Sequence, residues 1–535
     1  MISYNGELYN DAELRAELHR EGMVFRSSCD TETVAQALRV WGPAAIGRFR
    51  GMFALAAVDV ERARLILARD RLGIKPLYYA VGAGSDRVWQ VVFASEPAPI
   101  VAHPDVGARP DMVTASAYLT TIRTTIGERT LFEEVRTVLP GEVIEFDLSV
   151  AAGAVHRTRH EVADWQVEHC GPTEDRVRKA VIDSVSRHLR ADVPACALLS
   201  GGLDSSIIVA ACRELGVDRL RTYSSGHDDG SDGTDLSFAR MVAAKFGTVH
   251  TAAPITRELF AERWPDMVAR MGIPLSTPNE VAINEVARRL RDDGQVVALS
   301  GEGADELFGG YELPMMQAWE FEEKRGHQGN EASTHQGDSG GAFQLRANAW
   351  ISHEQKGAVL RPEVWRGVEG DAFLRDWYES EFARGHESGV QSHLAFQRRV
   401  NLVGLLQRLD TATMLEGVEG RTPFADVAVA AIAEAMPMDR KFAPSCPPHT
   451  RSNTKIALRQ AFADVLPREV VERPKASFPL PFQEWVGESA PVLRSSGFAR
   501  TMFSDAAIEA VCAEPGRLWN LAWPMINLAM WGERW

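Results

Sequence analysis

The sequence predicts two regions of different fold class: a β-rich α+β region up to about residue 150 and, from about residue 171, an α/β region in which helices wrap a parallel sheet. Three observations carry this. Up to residue 150 the apolar residues fall in strand-length runs broken by turns, at 52–60, 65–68, 77–80, 88–94 and 143–146, and only 11–21 and 31–41 have helical spacing. Beyond residue 171 long helical patterns alternate with short apolar strands such as 295–299, the pattern of strands covered on both faces. Between strand 195–199 and the apolar helix 207–215 stands Ser200-Gly201-Gly202-Leu203-Asp204-Ser205-Ser206, a glycine-bracketed loop of the kind that grips phosphate.

A chain of 535 residues has room for at least two cores, and 45% apolar with 24% charged residues is ordinary for a globular protein. Periodicity lapses over 151–172, so the domains are expected at 1–150 and 171–535. The stretch 322–341, rich in Gly, His, Gln, Ser and Glu, reads as a mobile loop. Trp519, Trp523, Trp531 and Trp535 have the spacing of one helical face with Pro524 set to interrupt it, which points to core packing. A net charge of −15 speaks against a nucleic-acid partner, since phosphate backbones are bound by basic surfaces. Six scattered cysteines without a CxxC pair suggest reduced thiols, neither a disulfide framework nor a zinc site. No apolar run reaches the roughly 18 residues of a membrane span and the first residues are polar, so no membrane partner and a cytoplasmic location are expected.

The loop at 200–206 carries the chemistry. Gly201 and Gly202 let backbone N–H groups turn inward, and the following helix presents its positive end to the same point. Asp204 cannot face a phosphate directly, because like charges repel; a Mg²⁺ between them resolves the conflict. No lysine follows Gly202, which excludes the common mononucleotide loop. A second glycine-rich stretch, from Ser300-Gly301-Glu302-Gly303-Ala304-Asp305 to Gly310-Tyr311, also follows an apolar strand. In an open parallel sheet such loops converge on one crevice, where Asp305 would join Asp204 on the metal and Glu302 would stand where a base is wanted. Polar islands follow at Arg408-Leu409-Asp410, at 416–426 with Glu419, Arg421 and Pro423, at Lys455 and Arg459, and at Arg473-Pro474-Lys475-Ala476-Ser477-Phe478.

Taken together these motifs resemble the glutamine-hydrolysing asparagine synthetase family, whose relatives include the β-lactam synthetases and lasso-peptide cyclases, over nearly the whole chain. The resemblance implies an Ntn-hydrolase-like glutamine amidotransferase domain followed by an ATP-pyrophosphatase domain of the adenine nucleotide α-hydrolase type. It implies that Leu199, Ser200, Gly201, Gly202, Asp204, Ser205, Ser300 and Gly301 bind ATP, that Asp204 and Asp305 serve Mg²⁺, that Glu302 helps deprotonate the incoming amine, and that Lys475 steadies the charge of the adenylate-forming transition state. The implied reaction activates a carboxylate, aspartate in the family, as an acyl-adenylate that ammonia attacks. A homodimer and an ammonia passage between the halves are further family expectations, and the pocket for the acid is expected near 274–279.

In the N-terminal region Asn5, Gly6, Glu7 and Asp30 match the glutamine pocket, with Asn5 and Gly6 as oxyanion donors and Asp30 on the substrate's amino group. Arg69-Asp70, Gly73 to Tyr78 and Ala94-Ser95-Glu96 match as well. The family's nucleophile is a cysteine at the mature first position, whose own α-amino group is its base. Here residues 1 and 2 are Met and Ile, so the amidotransferase domain reads as truncated and glutamine hydrolysis by this chain is not expected; Cys29 reads as structural. A ring-closing relative using an internal amine is the alternative activity. A non-catalytic nucleotide binder is less expected, because Asp204, Glu302, Asp305 and Lys475 are all present.

Overall fold

The computed structural model describes the chain except residues 84–88, 150–153, 166–172, 228–233, 328–338, 386–388, 445–452 and 476–479. The first ten strands are β1 (Ile2–Leu8), β2 (Gly51–Asp59), β3 (Arg64–Arg69), β4 (Tyr78–Ala83), β5 (Trp89–Ala94), β6 (Thr125–Ile126), β7 (Arg129–Thr130), β8 (Arg136–Thr137), β9 (Glu142–Asp147) and β10 (Ala154–Arg159). They form two antiparallel sheets, ordered β1-β2-β3-β9-β10 and β5-β4-β8-β7-β6. The period-2 geometry of β2 explains how the first sheet is covered. Phe53, Leu55 and Ala57 pack with Leu14, Leu18, Val34 and Ala37 of the helices Asp11–Arg20 and Asp30–Trp41, while Ala54 and Ala56 point the other way, into a core with Leu77, Tyr79 and Val138 from the second sheet.

Five further strands, β11 (Cys196–Leu198), β12 (Arg221–Gly226), β13 (Val249–Pro254), β14 (Val297–Leu299) and β15 (Glu419–Arg421), make an all-parallel sheet ordered β13-β12-β11-β14-β15. Alternation again assigns the faces. Ala197, Leu199 and Leu299 pack with the helices Thr173–His188 and Leu203–Glu214, whereas Cys196 and Ala298 pack with Val286, Ala287 and Leu290 of the helix Asn279–Asp292. From β11 the chain builds outward through β12 and β13 and then returns to place β14 on the other side of β11. The reversal puts a crevice at the carboxyl ends of β11 and β14.

A third core is helical. Trp264 of the helix Arg257–Met271 stacks on Trp523 of the helix Trp519–Gly532 at 4.4 Å, and Asn527 accepts from Trp264 Nε1 at 2.9 Å. Pro524 sits inside that last helix without ending it.

The structure departs from the sequence reading at several places. Strand β1 and the helices Pro97–Val101 and Met112–Thr121 carry too little periodic contrast to be read, the last because it is buried nearly all round. Strand β10 extends the first sheet to Arg159, beyond residue 150. Part of the stretch read as a mobile loop is ordered: the helix Glu312–His327 covers its beginning and the helix Gly340–Ala347 its end, with 328–338 outside the described residues. Among the described residues no helix is long and apolar enough to cross a membrane.

Candidate active site

The loop after β11 turns at Gly201, whose φ of 72° suits glycine and where a Cβ would meet Ala239 N at 2.4 Å. Its hydroxyls hold the turn from within. Ser205 Oγ accepts from Ser200 N–H at 3.2 Å and lies 3.1 Å from Ser200 Oγ, and Ser206 Oγ donates to Gly202 O at 2.7 Å. The helix Leu203–Glu214 then starts without a side-chain cap, so its first N–H groups face the crevice. The loop after β14 comes so close that a Cβ on Gly301 would lie 3.0 Å from both Asp204 Cβ and Ser205 N. Its Ser300 is held by β15, its N–H donating to Arg421 O at 2.8 Å.

The two loops share a cavity of about 310 Å³. Its wall contains Leu199, Ser200, Gly202, Asp204, Ser205, Ser300, Gly301, Glu302, Asp305 and Lys475, the residues that the motifs singled out, with Gly201 turning beneath it. Asp204 and Asp305 are joined there by a lysine. Lys455 Nζ lies 2.7 and 2.6 Å from the two carboxylate oxygens of Asp204 and 2.6 Å from Asp305 Oδ1, while Lys475 Nζ reaches Asp305 Oδ2 at 2.6 Å and Asp204 Oδ2 at 4.0 Å. Burial alone would push the Asp305 carboxyl up, but the two ammonium groups outweigh it and hold it well below the usual carboxylate range. Desolvation pulls against the Lys475 ammonium, whose side chain is 36% exposed; Asp305 and Asp204 outweigh it and keep the ammonium charged beyond its ordinary range. Glu302 is paired with Arg408 Nη2 at 2.5 Å, and Arg473 pairs with Asp235 at 2.6 Å on the same wall.

Three of these residues were present in the sequence as polar islands without an assigned place: Lys455, Arg408 and Arg473. For Lys455 a signal existed. It caps the N-terminus of the helix Ile456–Ala461, the positive end of the dipole, where a cation is disfavoured unless carboxylates hold it, and it does so with a left-handed φ of 51°. Ala476, Ser477 and Phe478 of the last motif lie outside the described residues.

The N-terminal candidates gather elsewhere. Asn5, Gly6 and Glu7 lie on β1; Asn5 Nδ2 donates to Ser95 Oγ at 3.3 Å, and Asp30, at the start of its helix, accepts from Leu8 N–H at 2.9 Å. Glu7 is pushed up to about 7, by burial first and by Glu419 and Asp30 after it, although Arg421 at 3.3 Å pulls the other way. Cys29 is exposed beside Asp30.

Several islands turn out to tie the two regions together. Lys75 is buried against Asp410 at 2.7 Å, Arg50 Nε donates to Asp426 at 2.9 Å, and Arg421 joins Glu7. Leaving one member of the buried Lys75–Asp410 or Arg50–Asp426 pair alone costs roughly 3–5 kcal/mol, so these two contacts fix the regions in one arrangement.

A crevice at the reversal point of an open parallel sheet, lined by two glycine-rich loops and charged on both signs, defines an α/β protein with a small-molecule site at the strand ends. Comparison with known proteins makes the family specific. Residues 176–533 match the family model described as asparagine synthase and residues 1–158 that described as a glutamine amidotransferase domain. The chain is 32% identical over 514 residues to a putative asparagine synthetase [glutamine-hydrolyzing] of Mycobacterium tuberculosis, covering 91% of this chain and 76% of the relative. It is 30% identical over 512 residues, with the same coverage, to asparagine synthetase [glutamine-hydrolyzing] 1 of Bacillus subtilis, and 30% identical over 327 residues to asparagine synthetase B [glutamine-hydrolyzing] of Escherichia coli, covering 58% and 52%. A solved glutamine phosphoribosylpyrophosphate amidotransferase from B. subtilis aligns at 15% identity over 56% of this chain and 61% of its own with a TM-score of 0.21, too poor a superposition to bear on the fold. The chain belongs to the asparagine synthase family.

Proposed function

We propose that the chain is an ATP-dependent, amide-forming carbon–nitrogen ligase of asparagine synthetase type. The observation that carries the reading is the meeting of Asp204 and Asp305 across Lys455 and Lys475, which joins the two loops in one preorganised charge cluster. In this reading a carboxylate oxygen of the acid attacks the α-phosphorus of ATP, and the phosphorus–oxygen bond to pyrophosphate breaks with its electron pair leaving on pyrophosphate. The nitrogen of ammonia then attacks the acyl carbon, the carbon–oxygen bond to AMP breaks, and the nitrogen gives up a proton. Leu199, Ser200, Gly201, Gly202, Ser205, Ser300 and Gly301 surround ATP, the serines offering their hydroxyls and the glycines the close approach of the backbone. Lys475 offsets charge that grows on the phosphate oxygens in the transition state, an effect strongest where water is excluded. Glu302, oriented by Arg408, faces the amine and draws off its proton.

Mg²⁺ suits this site. Among the described residues no group of three or more His, Cys, Asp or Glu is set to hold a metal, so a metal here would share its shell with the nucleotide's oxygens. Asp204 and Asp305 supply the hard carboxylate oxygens that such an ion takes, and each already faces an ammonium within 2.7 Å. Asp204 and Asp305 would hold the ion, whose chemistry is to neutralise charge on the departing pyrophosphate.

Aspartate is the acid in this reading, after the printed names of the relatives, and glutamine the nitrogen source of the complete family form. A specialised ligase acting on another acid is a second reading, favoured by a second cavity taken up below. The test follows AMP and pyrophosphate from ATP with ammonium and a carboxylic acid. Release that needs both supports the reading; ADP and phosphate instead, or release indifferent to every acid supplied, ends it.

A further inference from the structure

The crevice adjoins a larger cavity. About 520 Å³ lies between the N-terminal sheets and the helix Leu402–Met414, and Tyr311 and Arg408 line both spaces. Aspartate has nine non-hydrogen atoms and its reacting carboxyl belongs in the crevice, so the adjoining volume, of the size that encloses a drug-sized ligand, lies beyond its reach.

The wall of this cavity is built. One side is the segment 273–277, pinned from behind by the C-terminal helix: Asn527 Oδ1 accepts from Leu275 N–H at 3.1 Å, Trp523 Nε1 donates to Ser276 O at 2.9 Å, and Trp531 Nε1 donates to Gly272 O at 3.0 Å. Another side is a single π-helical turn, Gln397–Asn401, a distortion frequent at functional sites. Gln397 is 2% exposed and, among the described residues, its Nε2 has no hydrogen-bond partner, an arrangement that costs stability unless a ligand supplies an acceptor. Of the arginines in the wall, Arg399 is paired with Glu381 and Arg408 with Glu302, while Arg123 donates to Val400 O. Trp350 and Trp377 add flat apolar surface.

We propose that the acid activated by this chain is an extended, peptide-like carboxylic acid, its reacting carboxyl passing Tyr311 and Arg408 into the crevice while its body lies in the adjoining cavity, an amide carbonyl on Gln397 Nε2 and a hydrophobic side chain against Trp350 and Trp377. The proposal rests on the ligase reading above and names its substrate class.

The experiment measures AMP release from ATP with ammonium for aspartate, N-acetylaspartate, glycylaspartate and aspartylphenylalanine. The expected result is a kcat/KM for at least one extended acid about tenfold or more above that for aspartate. Val403→Trp, which fills the cavity from the helix, and Gln397→Leu, which removes the free donor, should each collapse that ratio toward one, chiefly through KM for the extended acid. Aspartate matching or exceeding every extended acid overturns the proposal, leaves the ligase reading standing, and returns the cavity to the passage of ammonia. A ratio untouched by both variants overturns the placement in the cavity. AMP release with none of the four acids overturns the ligase reading, and this proposal with it.

Discussion

The crevice between β11 and β14 and the pocket on β1 handle buried carboxylates in opposite ways. Asp204 and Asp305 are each met by an ammonium within 2.7 Å, from residues about 150 to 250 positions away in sequence, and Asp305 is held ionised. Glu7 and Asp30 answer mainly to local strand and helix contacts, and Glu7 drifts up to about 7 with one longer ion pair to Arg421. The crevice has its charges balanced in advance, as electrostatic catalysis requires. The pocket leaves a carboxyl undecided near neutrality, as suits a site completed by a charged ligand.

The largest effect should come from cutting the crevice itself. Asp204→Asn or Lys475→Met is expected to lower acid-dependent AMP release by about 10²–10³-fold. Retention of full turnover by either variant would break the contrast, since the cluster would then be scaffold. Lys455→Met leaves Asp305 on Lys475 but buried Asp204 with no ammonium among the described residues nearer than 4.0 Å, and should destabilise the chain by roughly 3–5 kcal/mol in chemical denaturation. Combined with Asp204→Asn the loss should be less than additive, because the unpaired charge is removed. Gly310→Ala sets a methyl group within 1.8 Å of Asp305 Oδ1 and 2.3 Å of Lys455 Cε, and is expected to cost about 1–3 kcal/mol together with most of the turnover.

The smallest effect sharpens the comparison through pH. A carboxyl whose folded pKa is depressed, as for Asp305, adds stability above its ordinary value of 3.8 that is lost as pH falls below it. A carboxyl whose folded pKa is raised, as for Glu7, favours the fold below its ordinary value of 4.5, and that advantage is lost as pH rises to about 7. Thermal melts should therefore show Glu7→Gln flattening the decline between pH 4.5 and 7 and raising Tm at pH 8 relative to the parent chain. Parallel curves for the two proteins would remove Glu7 from the account.

Much of the crevice was legible because it is written in contiguous loops: SGGLDSS and SGEGADELFGGY each carry glycine, hydroxyl and acid at spacings that only a strand-to-helix turn explains. Lys455 and Arg408 were not placed, because a single cation on a helix reads as surface charge until its distant partners are known. The roles of Asp410 and Asp426 were hidden for the same reason, their partners Lys75 and Arg50 lying more than 300 residues earlier. The parallel sheet could be read from alternating strands and helices, but its order, and with it the reversal between β11 and β14, follows from pairing that no local pattern encodes.

The backbone of Lys455 has a consequence for selection experiments. A lysine with φ of 51° is strained, and Gly or Asn would relax it. The same exchange discards the ammonium that keeps Asp204 and Asp305 apart, so a library sorted for heat resistance and one sorted for turnover should diverge at this codon, and a variant enriched in both would have to bring a new cation from elsewhere.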